Sequence, residues 1–291
     1  MLKPEVESLV PGQTFDRRSF VKTALGSAFA AAALPVTAQA IKTDFEGLTA
    51  GEVTIPSGDF KMPIYRAMPQ GKRDLPVVLV ISEIFGVHEY IADTCRRFAK
   101  QGYLAIAPEL FARQGDPTSF GTIQELQREI IAKTPDNEVL GDLDAAVAWA
   151  GANGGNLGKV GITGFCWGGR VVWLYAAHSR QLKAGVAWYG RLNGDTTPLQ
   201  RRHPIDLAAQ LKAPVLGLYG GKDTGIPLEA VDRMKAALAA ANNPAAKASK
   251  FIVYPESGHA FHADYRPSYR EADAKDGWQK CLAWFKEHGV A

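Results

Sequence analysis

One nine-residue run, Ile162 to Arg170, constrains the fold of this chain more than any other segment. It reads I-T-G-F-C-W-G-G-R, with apolar residues before it and a longer apolar run after it. This pattern is typical of an elbow in which a strand turns sharply into a helix, and glycines let the two elements close on a residue held at positive φ. Cys166 occupies the turn, where a helix N-terminus would favour a thiolate and an oxyanion. The run predicts Cys166 as a nucleophile; the alternative is a buried structural cysteine in a glycine-rich loop.

Two further polar residues follow apolar runs downstream of the cysteine. Asp223 comes after Val215–Tyr219, and His259 comes after Phe251–Tyr254. A nucleophile, an acid and a histidine in this chain order can form a catalytic triad. His259 would accept the thiol proton and later donate one to the leaving group, and Asp223 would orient the imidazole and stabilise its cation. Taken singly, Asp223 could be a turn aspartate and His259 a surface histidine; taken together, they favour the triad.

Strand-like and helix-like segments alternate along the rest of the chain. Val77–Ile81 is apolar throughout, as expected for a strand buried on both faces. Before it, Gly51–Ile55 and Phe60–Tyr65 alternate around a Ser-Gly-Asp turn, which predicts an antiparallel hairpin. Further strands are expected at 103–107, 160–162, 184–188, 215–219 and 251–254, and helices near 89–101, 121–133, 138–152, 168–179, 228–242 and 267–288. The pattern predicts an α/β fold with a mostly parallel, doubly covered sheet and a site at the carboxyl ends of its strands.

Several motifs together resemble the dienelactone hydrolase (carboxymethylenebutenolidase) family. They are G-F-C-W-G-G around Cys166, E-I-F-G from Glu83, L-F-A-R-Q around Arg113 and G-H-x-F from Gly258, and the resemblance extends from about Gly51 to the C-terminus. It implies the α/β-hydrolase fold and hydrolysis of an enol-lactone ester by a Cys-Asp-His triad. The expected domain covers residues 41–291.

The resemblance also implies roles for individual residues. Glu83 would hold the resting thiol and help to deprotonate it, and the backbone N–H groups of Ile84 and Trp167 would form the oxyanion hole. Arg113 would bind a carboxylate of the substrate.

One departure from the family pattern concerns a second carboxylate-binding arginine, which the family carries four residues after the catalytic histidine. Ala263 stands at that position here, and Arg266, three residues further on, is the expected substitute. Phe85 and Tyr189 are further expected substrate contacts, although aromatic residues beside an elbow often simply pack. Because the second arginine is absent from its usual position, the sequence predicts the hydrolase family, with a dienelactone as the first substrate to consider.

A thiol nucleophile also narrows the substrate class. A thiolate is a good leaving group. The tetrahedral intermediate that it forms with an ester therefore expels the thiolate and returns to substrate unless the ester oxygen leaves easily. Enolates and phenolates leave easily, which favours activated esters and lactones hydrolysed through a thioester acyl-enzyme. A base must activate the thiol, whose ordinary pKa is about 8.5, and both His259 and Glu83 are candidates. The alternatives are a general carboxylesterase or thioesterase, and a non-hydrolytic periplasmic ligand-binding or redox protein.

The N-terminus has the composition of an export signal. Arg17 and Arg18 precede the soft apolar run Ala24–Leu34, and an A-x-A cleavage site ends at Ala40. This combination predicts a twin-arginine signal over residues 1–40, recognised by the twin-arginine export machinery, and a periplasmic mature protein. The apolar run has eleven residues, fewer than the roughly 20 needed to span a bilayer, so stable membrane insertion is not expected. The alternative is an uncleaved anchor.

Composition excludes several other classes. The formal charge is +3 without a basic stripe, which gives no support to nucleic-acid binding. Three cysteines cannot form a full disulfide framework; Cys95 and Cys281 either form one bridge or, as we expect, remain buried free thiols. His259 and His262 form H-x-x-H, but no third ligand has a suitable spacing for zinc. We therefore expect a monomer that acts on a small ester or lactone without metal or cofactor.

Overall fold

The computed structural model describes residues 40–291, so the predicted export signal lies outside the described residues except for Ala40. An eight-stranded sheet occupies the centre of the described chain, with the order β1-β2-β4-β3-β5-β6-β7-β8. Its strands are β1 (Leu48–Ser57), β2 (Phe60–Pro69), β3 (Leu75–Ile81), β4 (Leu104–Pro108), β5 (Gly155–Phe165), β6 (Leu182–Trp188), β7 (Val215–Gly220) and β8 (Lys250–Tyr254). Pairing is parallel from β4 to β8 and antiparallel where β1 meets β2 and β2 meets β4.

Helices flank this sheet and connect its parallel strands. They are α1 (Glu89–Lys100), α2 (Ile123–Glu129), α3 (Asp136–Ala152), α4 (Trp167–His178), α5 (Leu228–Ala240), α6 (Pro244–Ala248) and α7 (Glu271–Glu287). Short 3₁₀ turns lie at Pro117–Ser119, Ile131–Lys133 and Pro204–Gln210. α1 packs on β2 and β4, α3 and α4 pack on β5, and α7 packs on β6 and β7. The predicted α/β-hydrolase fold with an N-terminal antiparallel hairpin is confirmed.

The central strands are apolar because both of their faces are covered. Val77 to Ile81 of β3 have no exposed surface, and neither do Ile162 of β5 and Val186 of β6. Burial at roughly 25 cal/mol per Å² of apolar surface makes these strands the main contributors to the stability of the fold. The hairpin differs, since its strands alternate between buried and exposed residues.

The order of the strands in the sheet determines where the candidate site lies. The chain passes from β3 to β4 on one side and then returns to β5 on the other side of β3. In open α/β sheets such a reversal leaves a crevice at the carboxyl ends of the strands, where connecting loops diverge. The loop after β3 begins at Ser82, and the loop after β5 holds Cys166. The two segments with the strongest sequence motifs therefore meet at this reversal.

Some local structure was not predicted. The helix expected over 121–133 is α2 followed by a separate 3₁₀ turn, because Ile130 departs from helical geometry at φ −113°. The turn Pro204–Gln210 and helix α6 were missed; each begins with a proline and is too short for a clear apolar period. The hairpin was expected, but its antiparallel attachment to β4 through Ile64 and Pro108 was not.

Cys95, Cys166 and Cys281 are all free and buried, which confirms the expectation of free thiols. Over residues 40–291, the structure contains no helix of the length and apolarity that a bilayer crossing requires.

Two glycine substitutions test how closely the elements pack. A Cβ on Gly190 would lie 2.2 Å from the backbone carbon of Gly169 and 2.4 Å from the nitrogen of Arg170, whereas a Cβ on Gly141 would meet nothing within 4 Å. We expect Gly190→Ala to lower the free energy of unfolding by about 2 kcal/mol or more. Gly141→Ala, inside α3, should raise it by up to ~1 kcal/mol. Urea denaturation measures both, and equal effects would contradict the close approach of α4 to the loop after β6.

Candidate active site

Cys166 stands between β5 and α4 in a strained backbone conformation. Its φ is 54° and its ψ is −113°, in the region that non-glycine residues rarely occupy. Its N–H donates to the carbonyl of Trp188 at 3.0 Å, and its own carbonyl accepts from the N–H of Arg170 at 3.3 Å. The sulfur therefore sits at the N-terminus of α4, where the helix dipole favours negative charge.

The elbow closes only because its neighbours lack side chains. A Cβ on Gly164 would lie 2.3 Å from the carbonyl oxygen of Gly168. A Cβ on Gly168 would lie 2.5 Å from the carbonyl oxygen of Ile81 and 2.6 Å from that of Ser82. Glycine at both positions is thus a steric requirement of the turn, as the sequence pattern predicted.

Asp223 and His259 meet across the ends of β7 and β8. The Nδ1 of His259 is 2.7 Å from Oδ2 of Asp223, and the other oxygen of Asp223 accepts from the N–H groups of Gly225 and Ile226 at 2.9 and 3.1 Å. Both side chains are almost completely buried. These bonds fix the carboxylate, and the carboxylate fixes the orientation of the imidazole ring.

The free side of the imidazole faces the thiol. Burial alone would lower the pKa of His259, but the negative charge of Asp223, and after it that of Cys166, raises this pKa well above its usual value. Among the described nitrogen and oxygen atoms, Nε2 of His259 has no hydrogen-bond partner. The structure thus places Cys166 and His259 in the lining of one cavity and Asp223 against His259.

A narrow cavity of about 70 Å³ opens beside the thiol. Its lining includes Cys166, His259 and both residues expected to supply oxyanion N–H groups, Ile84 and Trp167. Tyr189, an expected substrate contact, also lines it and packs edge-on against the His259 ring at 5.1 Å between centroids. The remaining lining residues are Gln127, Ile131, Arg170, Arg191, Gln200, His203 and Ile226.

A larger groove of about 550 Å³ lies elsewhere, lined by Leu140, Leu174 and Leu199 among others. It contains none of the three triad residues. Because reactive groups and not volume define a catalytic site, the narrow cavity beside Cys166 is the candidate active site.

Glu83 is completely buried behind the cavity. The hydroxyl of Tyr265 donates to its Oε2 at 2.6 Å, and Arg266 and His88 lie 3.8 and 3.7 Å from its two oxygens. Burial alone would raise the pKa of Glu83, but the positive charge of Arg266, with His88 and Tyr265, lowers it to about 2. Glu83 does not line the cavity beside Cys166.

Arg266 and Phe85 were expected to contact substrate, but the structure places neither in the cavity lining. The guanidinium of Arg266 lies 5.0 Å above the ring of Phe85 and 3.8 Å from Glu83. Both side chains are buried, so the arginine neutralises an internal carboxylate. The structure therefore places Arg266 against Glu83 and outside the lining of the cavity beside Cys166.

Arg113, expected to bind the substrate carboxylate, also lies outside the cavity lining. Its Nη1 donates to Asp142 of α3 at 2.5 Å, its Nη2 donates to the carbonyl of Ser57 at 3.1 Å, and its guanidinium stacks on Phe60 at 4.5 Å. Arg113 thus joins the end of the hairpin to α3. Asp142 lies on a helix that sequence analysis had not connected with the arginine.

Glu109 is a residue that sequence reasoning missed. It follows β4, and its Oε2 accepts from the N–H of Val87 at 2.7 Å, in the same loop that carries Ile84. Gly86, at φ 73°, approaches so closely that a Cβ there would lie 2.7 Å from Oε2. Burial raises the pKa of Glu109 to about 7 despite hydrogen bonds from Val87 and Phe111. In the sequence, the position of Glu109 directly after β4 was the signal that it could lie near the site.

The two histidines of H-x-x-H have separate partners. His259 bonds to Asp223, whereas Nδ1 of His262 lies 2.6 Å from the hydroxyl of Tyr90. Burial lowers the pKa of His262 to about 3, so its ring is neutral. Within the described chain, no group of three His, Cys, Asp or Glu side chains is arranged to hold a metal ion.

Comparisons with known proteins place this geometry in context. The family model for the dienelactone hydrolase family matches residues 62–289. A protein from Methylorubrum extorquens named "Putative carboxymethylenebutenolidase" is 55% identical over 289 residues, covering 99% of this chain and 98% of that protein. A Bradyrhizobium sp protein named "Probable 2-oxo-3-(5-oxofuran-2-ylidene)propanoate lactonase" is 31% identical over 230 residues, covering 77% and 88%.

A solved structure is similar over the same region. The "Putative Dienelactone Hydrolase" of Klebsiella pneumoniae subsp. pneumoniae is 54% identical, with a TM-score of 0.80 over 82% of this chain and 99% of that chain. The similarity therefore covers nearly the whole of the described residues.

Glu109→Gln tests the buried carboxyl that contacts the loop after β3. The folded chain keeps a proton on Glu109 up to about pH 7, whereas the unfolded chain releases it near 4.5, so the contribution of Glu109 to stability falls as pH rises through this window. Glutamine retains an acceptor for Val87 but does not titrate. We expect the variant to lose less unfolding free energy than the wild type between pH 5 and pH 8, measured by urea denaturation. The exposed Glu229→Gln is the control, and an unchanged pH dependence in Glu109→Gln would contradict the assignment.

Proposed function

This chain belongs to the dienelactone hydrolase family, and we propose that it hydrolyses activated esters and enol lactones through Cys166, His259 and Asp223. Family membership makes it a carboxylic ester hydrolase. The observation that supports the mechanism is the buried hydrogen bond between Asp223 and His259, whose ring lines the same cavity as the thiol of Cys166.

In the proposed acylation step, His259 takes the proton of Cys166 and the thiolate attacks the ester carbonyl. Asp223 holds the proton on Nδ1 and stabilises the imidazolium. The tetrahedral intermediate then collapses, the carbon–oxygen bond breaks, and the enolate or phenolate leaves with the proton from His259. With a lactone, the leaving oxygen stays attached to the acyl chain, which ends as a thioester on Cys166.

In the proposed deacylation step, His259 takes a proton from water while the water oxygen attacks the thioester. The carbon–sulfur bond breaks, the carboxylic acid leaves, and the thiol regains its proton from His259. The N–H groups of Ile84 and Trp167 are the proposed donors to the oxyanion in both steps, because both residues line the cavity beside the sulfur.

His259 is the better candidate for the base that activates the thiol. A carboxylate with a pKa near 2 is ionised at neutral pH but holds a proton weakly, so Glu83 would be a poor proton acceptor. Its contacts favour a structural task, in which Glu83 neutralises the buried Arg266 and fixes Tyr265.

The names of the relatives support a lactone substrate. The Bradyrhizobium protein is named for a lactone that carries both an enol-lactone ring and a carboxylate. A dienelactone is therefore the first substrate to test, and an aryl ester such as p-nitrophenyl acetate tests the wider activity. A general carboxylesterase or thioesterase would use the same three residues.

Alanine at the nucleophile should abolish turnover. We expect Cys166→Ala to reduce kcat/KM by roughly 10⁴-fold or more, and Asp223→Asn by roughly 10²- to 10⁴-fold, because the imidazole loses its orientation. Steady-state hydrolysis of p-nitrophenyl acetate and a dienelactone measures both. Cys281→Ala, which changes a buried thiol outside the site, is the matched control. Near-wild-type activity in Cys166→Ala would exclude this mechanism.

We further propose that the protein is exported to the periplasm by the twin-arginine machinery, on the basis of Arg17, Arg18 and the A-x-A site alone. Replacing Arg17 and Arg18 by lysine should keep the protein and its esterase activity in the cytoplasmic fraction, whereas Lys22→Arg should not. Cell fractionation with an export-competent host measures this. An unchanged distribution in the double variant would refute twin-arginine export.

A further inference from the structure

The loop after β3, residues 82–88, carries the N–H of Ile84 and is held at both of its ends. At its start, α4 approaches so closely that a Cβ on Gly168 would lie 2.6 Å from the first carbonyl oxygen of the loop. Near its other end, the N–H of Val87 donates to Oε2 of Glu109 at 2.7 Å. Ile84 lies between these two contacts and lines the candidate active-site cavity. The position of its N–H therefore depends on both contacts.

Glu109 is itself fixed by the backbone around it. It follows β4 directly, and its N–H donates to the carbonyl of Pro63 in β2 at 2.9 Å. Its own carbonyl accepts from the N–H of Ala112 at 3.2 Å, and the N–H of Phe111 bonds to its carboxyl. A strand on one side and a turn on the other thus hold this residue, which makes its carboxyl a fixed acceptor for the neighbouring loop.

Gly86 makes the loop dependent on this acceptor. Its φ is 73°, a conformation that glycine adopts readily and other residues rarely. The carboxyl of Glu109 packs against it, because a Cβ there would lie 2.7 Å from Oε2 and 2.9 Å from Oε1. Glycine also has the greatest backbone freedom of any residue. Without an acceptor for the N–H of Val87, the loop would be free to turn at Gly86, two residues after Ile84.

Glu109 acts at a distance from the reacting atoms. It is not part of the cavity lining, whereas Ile84, Trp167 and Cys166 are. A donor to an oxyanion is effective only when its N–H points at the position that the oxygen occupies in the tetrahedral intermediate. Because a small displacement of such a donor is costly, a group that fixes the donor affects the rate without contacting substrate.

From these contacts, we propose that Glu109 is a positioning residue, whose carboxyl fixes Val87 and so holds the N–H of Ile84 where the oxyanion forms. The assignment rests on the proposed function, because Ile84 is a proposed oxyanion donor. The role requires an acceptor at the end of the side chain but no negative charge. Glutamine should therefore fulfil it, and an apolar side chain of the same length should not.

Two variants of similar volume separate the acceptor from the packing. With p-nitrophenyl acetate, we expect Glu109→Met to lower kcat by roughly 10- to 100-fold with KM within about threefold, and Glu109→Gln to keep kcat within about threefold of the wild type. Glu109→Ala carries the expectation for methionine if that variant does not fold. Asn243→Ala, which removes the acceptor 2.8 Å from the N–H of Ala246 outside the cavity lining, is the control and should change neither constant.

An adduct that forms an oxyanion without turnover separates positioning from general destabilisation. The thiolate of Cys166 adds to the carbonyl carbon of 2,2,2-trifluoroacetophenone; a carbon–sulfur bond forms, the carbonyl electron pair becomes the oxyanion, and no group leaves. With methyl methanethiosulfonate, the thiolate attacks sulfur and releases methanesulfinate, so no oxyanion forms on carbon. We expect Glu109→Met to raise the dissociation constant of the ketone adduct by roughly 10- to 100-fold, measured by fluorine NMR, and to change the rate of methylthiolation by less than about twofold.

Each result bears on the role of Glu109. Equal adduct affinity in the wild type and Glu109→Met, an equal fall in adduct affinity and methylthiolation rate, or a glutamine variant as impaired as the methionine variant would overturn it. Absence of the adduct in the wild type would overturn it as well, because no oxyanion site would then exist to be positioned. Failure of the wild type to hydrolyse p-nitrophenyl acetate and a dienelactone, with the adduct difference intact, would count against the proposed hydrolysis alone.

Discussion

The closure of α4 onto β5 around Cys166 is the constraint on which the rest of the site depends. The backbone of Cys166 tolerates a φ of 54° because Gly164 and Gly168 leave space on either side, and hydrogen bonds to Trp188 and Arg170 hold the turn. This strain places a sulfur at a helix N-terminus and at the reversal of strand order. Asp223 and His259 then need only follow β7 and β8, whose carboxyl ends lie at the same edge of the sheet.

The surrounding charges divide into two groups with different tasks. Inside the protein, the charges of Glu83 and Arg266 neutralise each other, and the hydroxyl of Tyr265 bridges the two side chains. Arg170 and Arg191 line the cavity beside the thiol, and Arg170 is paired with both oxygens of Asp136. A buried ion pair contributes little net free energy but is costly to break, so the pair of Glu83 and Arg266 holds the loop after β3 in place.

Sequence reasoning reached the triad because strand ends are visible in the sequence and the carboxyl ends of parallel strands share one edge. It did not reach the partners of Arg113 or Arg266, because Asp142 and Glu83 are brought to them by long-range packing that no local pattern encodes. Glu109 was missed for the same reason, since its side chain contacts the loop after β3, the strand that neighbours β4 in the sheet. Residue types and strand ends were thus predictable, but the pairing of buried charges was not.

The most direct test of the central claim is alkylation of the thiol. Burial raises the pKa of Cys95 and Cys281, so iodoacetamide should react with Cys166 first. Peptide mass spectrometry gives the fraction of each cysteine modified, and the same samples give the residual esterase activity. We predict that activity falls in proportion to modification of Cys166, and full activity with Cys166 completely alkylated would contradict the account.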